Sequence, residues 1–94
     1  MPRDARAAVR QKISLVLRVK GTDVNGRPFE EDTRANDVSD EGISFHLKAP
    51  IWINSYLTVD RISPYGETSE PARALVIRIR TEASGVQWVA ARLD

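Results

Sequence analysis

Hydrophobic and polar residues alternate along most of the chain, which is the period of a β-strand with one buried face. Five runs show this alternation clearly. Their apolar members are Ile13, Leu15, Leu17 and Val19; Ile43, Phe45 and Leu47; Leu57 and Val59; Leu75, Ile77 and Ile79; and Val89, Ala91 and Leu93. A sixth run, from Phe29 to Val38, alternates weakly and is highly charged, which predicts a strand at a sheet edge.

Turn-forming residues separate these runs. They are the Asn25-Gly26 pair, the segments Asp37–Gly42 and Pro50–Asn54, a long loop at Ser63–Pro71, and Ala83–Gly85. Asn-Gly is a strong hairpin signal because both residues tolerate positive φ. Several short antiparallel strands in so short a chain predict a small β-barrel, because closure removes the exposed edges of an open sheet. We expect one barrel domain over residues 12–94, preceded by a flexible basic arm at residues 1–11.

The composition narrows the class of protein. The chain has 94 residues, of which 41% are hydrophobic and 29% are charged, as expected of one folded globular domain. No apolar run approaches the roughly 18 residues that span a bilayer, and the N-terminus lacks the apolar core of a signal peptide, so we expect a cytoplasmic protein without a membrane partner. With no cysteine and one histidine, disulfides, thiol nucleophiles and cysteine-based zinc sites are excluded, and we expect no cofactor.

Charge is unevenly distributed, although the formal net charge is only +1. Residues 1–20 hold six basic side chains and one acidic one, whereas residues 21–47 hold two basic and seven acidic ones. The near-neutral total argues against a general nucleic-acid binder. The basic segment suits a small anion, a nucleic-acid backbone or the chain's own acidic segment, and charge alone does not choose among them.

Two polar clusters flank the first predicted hairpin. Arg6 and Arg10 precede the first strand, and the turn from Asp37 to Gly42 follows the second strand. Because hairpin partners run antiparallel, the start of one strand lies beside the end of the other. We therefore expect both clusters to meet at the same end of the barrel.

These clusters resemble the two signatures of the PilZ domain, a bacterial receptor domain for cyclic di-GMP. Its RxxxR signature matches Arg6 and Arg10, and its [D/N]xSxxG signature matches Asp37, Ser39 and Gly42. The resemblance covers almost the whole chain and implies a six-stranded antiparallel barrel of the split-barrel type. It also implies that these five residues bind cyclic di-GMP.

The chain departs from the family pattern at three places. Ala5 stands where many members have a further arginine, Ala90 stands where the last strand usually has glycine, and no clear C-terminal helix follows before Asp94. The first departure bears on how many ligand molecules bind, and the second is a mild change.

The chemistry of cyclic di-GMP suits the matched residues. An arginine fork binds phosphate oxygens or guanine O6 and N7, and its plane stacks on a purine, so Arg6 and Arg10 are expected to clamp the ligand. Asp37 is expected to accept the N1 and N2 hydrogens of guanine, and Ser39 to add a hydroxyl hydrogen bond. Gly42 is expected to allow positive φ or close approach of the ligand. Binding would order the arm and relay the signal to a partner domain or protein.

Other interpretations of the same residues stay open at this stage. Asp37 and Ser39 also suit an ordinary turn in which side chains bond the backbone. A PilZ-like protein-interaction module without nucleotide is the main alternative, and an RNA or single-stranded DNA binder with Trp52 or Trp88 as stacking platforms is a third. We expect Trp52 and Tyr56 to pack over a barrel end.

Catalysis is not expected. His46 falls on the polar face of the third predicted strand, so we expect an exposed sheet residue. Asp37, Ser39 and His46 lack the G-x-S-x-G elbow of a serine hydrolase. We therefore expect a binding protein and not an enzyme.

Overall fold

The alternating segments form six antiparallel strands in a computed structural model, which describes residues 15–62 and 70–94. The strands are β1 (Val16–Thr22), β2 (Pro28–Val38), β3 (Gly42–Leu47), β4 (Tyr56–Ile62), β5 (Ala72–Thr81) and β6 (Gln87–Leu93). The predicted arm at 1–11, the predicted start of the first strand at 12–14 and most of the Ser63–Pro71 loop lie outside the described residues.

The strands close into a barrel in the order β1-β2-β3-β6-β5-β4, with β4 pairing back onto β1. The predicted all-β, six-stranded antiparallel barrel is therefore confirmed. The prediction that the second strand lies at an edge is wrong, because β2 pairs with both β1 and β3. Its charged side chains reflect an outer face in water and not an unpaired edge. Residues 15–62 and 70–94 include no helix with the length and apolar character to cross a membrane.

The barrel interior is filled by apolar side chains contributed by every strand but β2. The buried set is Leu17, Val19, Ile43, Phe45, Leu47, Ile51, Leu57, Val59, Ala74, Val76, Val89 and Ala91. β2 adds Phe29 and Ala35, which are partly buried against this set. Ile51, from the segment between β3 and β4, is 2% exposed, so that segment helps to close one end of the barrel.

A β-bulge changes the inward face of β5. The register skips between Val76 and Arg78, so Ile77 is an extra residue without a partner on β6. Val76 is fully buried and Ile77 is 51% exposed. The alternation predicted for Leu75, Ile77 and Ile79 is therefore wrong before the bulge, since one extra residue reverses which face each side chain takes.

On the outer face, β1 and β2 pair opposite charges. The Arg18 guanidinium donates to both carboxylate oxygens of Asp32, at 2.9 and 3.3 Å, and Lys20 Nζ lies 3.7 Å from Glu30. Hydrogen bonding and attraction to Asp32 raise the pKa of Arg18, and the same hydrogen bond lowers the pKa of Asp32. Part of the basic segment thus neutralises the chain's own acidic segment.

Gly42 begins β3 and is paired with Arg92 at the end of β6. A Cβ atom at this position would lie 2.6 Å from the backbone carbonyl oxygen of Ala91. Among the described residues, φ is positive at Gly26, Asn54 and Gly85 and not at Gly42. Of the two expected reasons for a glycine here, positive φ is therefore wrong, whereas close approach of a ligand stays a prediction. The barrel itself already requires a residue without a side chain at this position.

We predict that Gly42→Ala lowers the free energy of unfolding by about 1 to 3 kcal/mol, because the new methyl group meets backbone that cannot move without disturbing the β3–β6 pairing. Urea denaturation measures this. Asp40→Ala is the control, since Asp40 is an exposed residue of the neighbouring turn and its replacement should change stability by no more than about 0.5 kcal/mol. Equal stability of the Gly42 variant and the wild type would contradict the prediction.

Candidate functional site

Ser39 organises the turn between β2 and β3. Its hydroxyl accepts hydrogen bonds from the N–H groups of Glu41 and Gly42, at 3.3 and 3.2 Å, and lies 3.4 Å from the Gly42 carbonyl, to which it can donate. The Ser39 N–H also donates to the Gly42 carbonyl at 2.9 Å. At the far side of the turn, the Leu93 N–H donates to the Glu41 carbonyl. The turn is thus held by Ser39 and tied to the end of β6.

Asp37 is turned to the outer face of the barrel by a second bulge. The β2–β3 register skips between Ala35 and Asp37, so Asn36 is the extra residue and Asp37 is paired with Ser44. Strict alternation from Phe29 would have carried position 37 to the inner face. Among the described residues, the Asp37 carboxylate makes no hydrogen bond and no ion pair. The carboxylate is therefore exposed and available.

The turn borders a groove of about 590 Å³ on the outer face of β3 and β6. Its floor is made of small side chains, Ser44 and Ala90, which are paired with each other across the two strands. Trp88 and Arg92 stand two residues to either side of Ala90, and Ile77 closes the groove on β5. A groove of this size, part apolar and part charged, matches typical small-ligand sites.

Both bulges flank this floor. Asp37 on β2, Ser44 on β3, Ala90 on β6 and Arg78 on β5 are successive partners in one row across the sheet. The skips in register fall at the two ends of this row. Bulges are common beside binding sites because they re-aim a side chain without breaking the sheet.

Sequence reasoning missed Ser44 and Arg92 at the groove, and it named Trp88 only as a stacking platform for nucleic acid. Ser44 is 5% exposed and its hydroxyl has no hydrogen-bond partner among the described residues. Arg92 makes no ion pair within the described part of the chain. The Trp88 ring has the Arg80 guanidinium 4.8 Å from its centroid. The alternation of β3 and β6 was a signal for their outward direction, but the pairing of these strands was not readable from the sequence.

Asp37, Ser39 and Gly42 come together in the structure, whereas Arg6 and Arg10 lie outside the described residues. The chain enters β1 close to this site, because the Ala35 N–H donates to the Leu15 carbonyl at 2.9 Å. The expectation that the first strand begins beside the end of the second is confirmed for the described residues. Asp40 and Glu41, expected to face solvent, are exposed.

Other candidate residues have different surroundings from those expected. Trp52 and Tyr56 are 65% and 50% exposed, so the prediction that they cover a barrel end is wrong; the Arg73 guanidinium lies 3.9 Å from the Tyr56 ring centroid. His46 is half-buried on the outer face, between the Asn36 amide at 3.1 Å and the Glu82 carboxylate at 3.0 Å. Residues 15–62 and 70–94 form no cluster of side chains suited to a metal ion.

No protein-family model and no curated protein matches this sequence. Two solved structures resemble the fold, both of K. pneumonia MrkH. The apo-state structure gives a TM-score of 0.60 at 19% identity, over 90% of this chain and 40% of MrkH. The P2(1) crystal form gives a TM-score of 0.60 at 19% identity, over 92% and 39%. The chain thus spans about two fifths of MrkH and shares its fold over that part.

We predict different effects on stability for two substitutions in the turn. Ser39→Ala removes the hydroxyl that bonds the turn backbone, and we expect the free energy of unfolding to fall by about 0.5 to 1.5 kcal/mol. Asp37→Ala removes an unpaired, exposed carboxylate, and we expect a change within about 0.5 kcal/mol. Thermal denaturation of both variants tests this, and a larger loss in the Asp37 variant would show that Asp37 holds the turn.

Proposed function

We propose that this chain is a non-catalytic receptor for cyclic di-GMP. The ligand binds in the groove on the outer face of β3 and β6, with Asp37, Ser39 and Gly42 at its edge and with Arg6 and Arg10 supplied by the segment before β1. Holding that segment against the ligand relays the signal to a partner domain or protein. The role proposed for the groove is binding.

One observation carries this proposal: the Asp37 carboxylate, which is unpaired among the described residues, lies at one end of the groove floor on the outer face of the barrel. A carboxylate is an acceptor only, and the N1 and N2 hydrogens of guanine are two neighbouring donors. A base lying over the small Ser44 and Ala90 side chains presents that edge to Asp37. The groove volume of about 590 Å³ is within the range of small-ligand sites, roughly 300 to 1,000 Å³.

The phosphates need positive charge on the side away from the acids of the turn. Arg92 lies within the groove and is unpaired among the described residues. Arg10 is five residues before Leu15, and a five-residue segment spans at most about 18 Å. Since Leu15 adjoins Ala35, two residues before Asp37, this reach includes the groove. Arginine forks bind phosphate oxygens in charge-assisted pairs.

The fold shared with MrkH supports the barrel scaffold of this proposal. The motif residues support cyclic di-GMP as the ligand, because the turn signature lies at the groove and the arginine signature precedes β1 in the sequence. At 19% identity, the likeness extends to fold alone, so the ligand of this chain rests on the groove and the motifs.

Isothermal titration of the purified chain with cyclic di-GMP tests the proposal directly. We expect saturable binding. Absence of heat and of any shift in heteronuclear NMR spectra at about 100 µM ligand, which sets a binding free energy weaker than about −5.5 kcal/mol, would rule it out. The alternative of a protein-interaction module that does not bind nucleotide would then be favoured, because Trp52 and Ile53 expose 65% and 52% of their surface.

Titration at several salt concentrations separates cyclic di-GMP from single-stranded nucleic acid as the ligand. An oligonucleotide held through several phosphates loses affinity steeply as salt rises, whereas a compact dianion bound by few arginines shows a shallower dependence. We expect the shallow slope and little binding of an oligonucleotide of mixed sequence.

We predict that Arg10→Ala weakens cyclic di-GMP binding about 10- to 150-fold, because a hydrogen bond to a charged group is worth about 1.5 to 3 kcal/mol. Titration calorimetry measures the affinity. Arg27→Ala is the matched control, since Arg27 lies at the β1–β2 hairpin, at the opposite end of the barrel from the turn. Similar affinities of the two variants for cyclic di-GMP would show that Arg10 does not contribute to binding.

We predict that Asp37→Ala weakens the binding of cyclic di-GMP. It should also reduce the preference for cyclic di-GMP over cyclic di-AMP, because adenine lacks the N1 and N2 donor pair. Ser39→Ala is expected to cost less in affinity, about 2- to 13-fold, as for a neutral hydrogen bond. Competition titrations with both dinucleotides give the preference. If the Asp37 variant keeps its full preference for guanine, the arginines are the next candidates for base recognition.

A further inference from the structure

The floor of the groove contains a polar group that the turn signature does not include. Ser44 is two residues beyond Gly42, on the outward-facing side of β3, and 95% of its surface is covered. Its hydroxyl has no hydrogen-bond partner among the described residues. Buried hydroxyls are nearly always bonded, so one without a partner at a groove is free to bond to water or to a ligand.

The position of Ser44 next to Asp37 suggests which partner this is. The two residues are register partners on adjacent strands, and adjacent strands lie about 4.8 Å apart. On the pairing edge of guanine, the N2 and N1 donors are followed by the O6 acceptor. A carboxylate that takes both donors leaves O6 in need of a donor from the neighbouring side chain, and a serine hydroxyl can donate.

We infer that Ser44 is a specificity-determining residue of the groove, whose hydroxyl donates to O6 of the guanine that Asp37 holds. This inference rests on the proposed function. The Ser44 Oγ atom is covered in the free protein, so this contact requires a rotation about χ1 that turns the hydroxyl toward the groove when the ligand binds. The side chain paired with Ser44 on β6 is the small Ala90. Asp37 and Ser44 together then bind the complete pairing edge of guanine, Asp37 as the acceptor for N1 and N2 and Ser44 as the donor to O6.

The test compares wild type with Ser44→Ala, using cyclic di-GMP and two analogues that are each altered at one position of the guanine base. Titrations use cyclic di-GMP and its 6-thio analogue, in which a weakly accepting sulfur replaces O6. We expect Ser44→Ala to lower the affinity for cyclic di-GMP about 2- to 13-fold, the range of one neutral hydrogen bond. Its effect on the 6-thio analogue should be close to none. Cyclic di-IMP, which keeps O6 and lacks N2, should show the same loss as cyclic di-GMP.

Stability gives an independent measurement on the same variant. Because the hydroxyl bonds to none of the described residues, Ser44→Ala should melt at or above the wild-type temperature. Ser84→Ala is the matched control. Its hydroxyl accepts from Val86 in the β5–β6 turn, outside the groove, so its removal should not affect binding of either ligand.

The outcomes separate this inference from the proposed function. If wild type binds none of the dinucleotides, the proposed function fails, and the inference fails with it. Two results with a wild type that binds cyclic di-GMP would overturn only the assignment of Ser44 to O6. In the first, Ser44→Ala binds cyclic di-GMP as well as wild type does. In the second, Ser44→Ala lowers the affinity for cyclic di-GMP and for the 6-thio analogue by the same factor. A clear fall in melting temperature would also overturn it, by showing that the hydroxyl has a partner in the free protein.

Discussion

The pairing of β3 with β6 is the constraint on which the core and the groove both depend. These strands are far apart in the chain, and their antiparallel register sets Gly42 opposite Arg92 and Ser44 opposite Ala90. The strands approach so closely at Gly42 that a side chain there would meet the Ala91 carbonyl. A slip of one residue would carry Phe45 outward and Ser44 inward, because side chains alternate with a period of two. The register is thus stabilised by burial inside the barrel, and the outer groove follows from it.

The two bulges let the barrel close around its apolar core while they direct side chains to the candidate site on its outer face. At β2 the extra residue brings Asp37 into the outward row beside Ser44. At β5 the extra Ile77 lets both Val76 and Ile79 stay on the inner side, while Ile77 itself borders the groove. The sheet keeps its hydrogen bonding on both sides of each bulge. Core packing and site geometry are therefore adjusted by the same two local irregularities.

The charges of the described residues fall into two groups with different roles. Arg18 and Lys20 are engaged by acids on β2, and the lowered pKa of Asp32 reflects the hydrogen bond from Arg18. Asp37 and Arg92, at the groove, are unpaired among the described residues. A carboxylate and a guanidinium left separate on one surface suit a ligand that has both hydrogen-bond donors and negative charge. In the proposed complex, the guanine edge faces Asp37 and the phosphates face the arginines.

The sequence by itself determined the strands, the turns and the barrel class, because period-two alternation and turn residues are local signals. The turn at Asp37–Gly42 was also readable locally, through the spacing of its aspartate, serine and glycine. Tertiary structure alone decided the face that Asp37 takes, the exposure of Ile77 and the assembly of Ser44, Ala90, Trp88 and Arg92 into one groove. Bulges and the β3–β6 register arise from pairing between distant strands, and no local pattern specifies which residue a strand will skip. For the same reason Gly42, which looked like a ligand or turn glycine in the sequence, owes its lack of a side chain to the Ala91 carbonyl of a strand some fifty residues further along the chain.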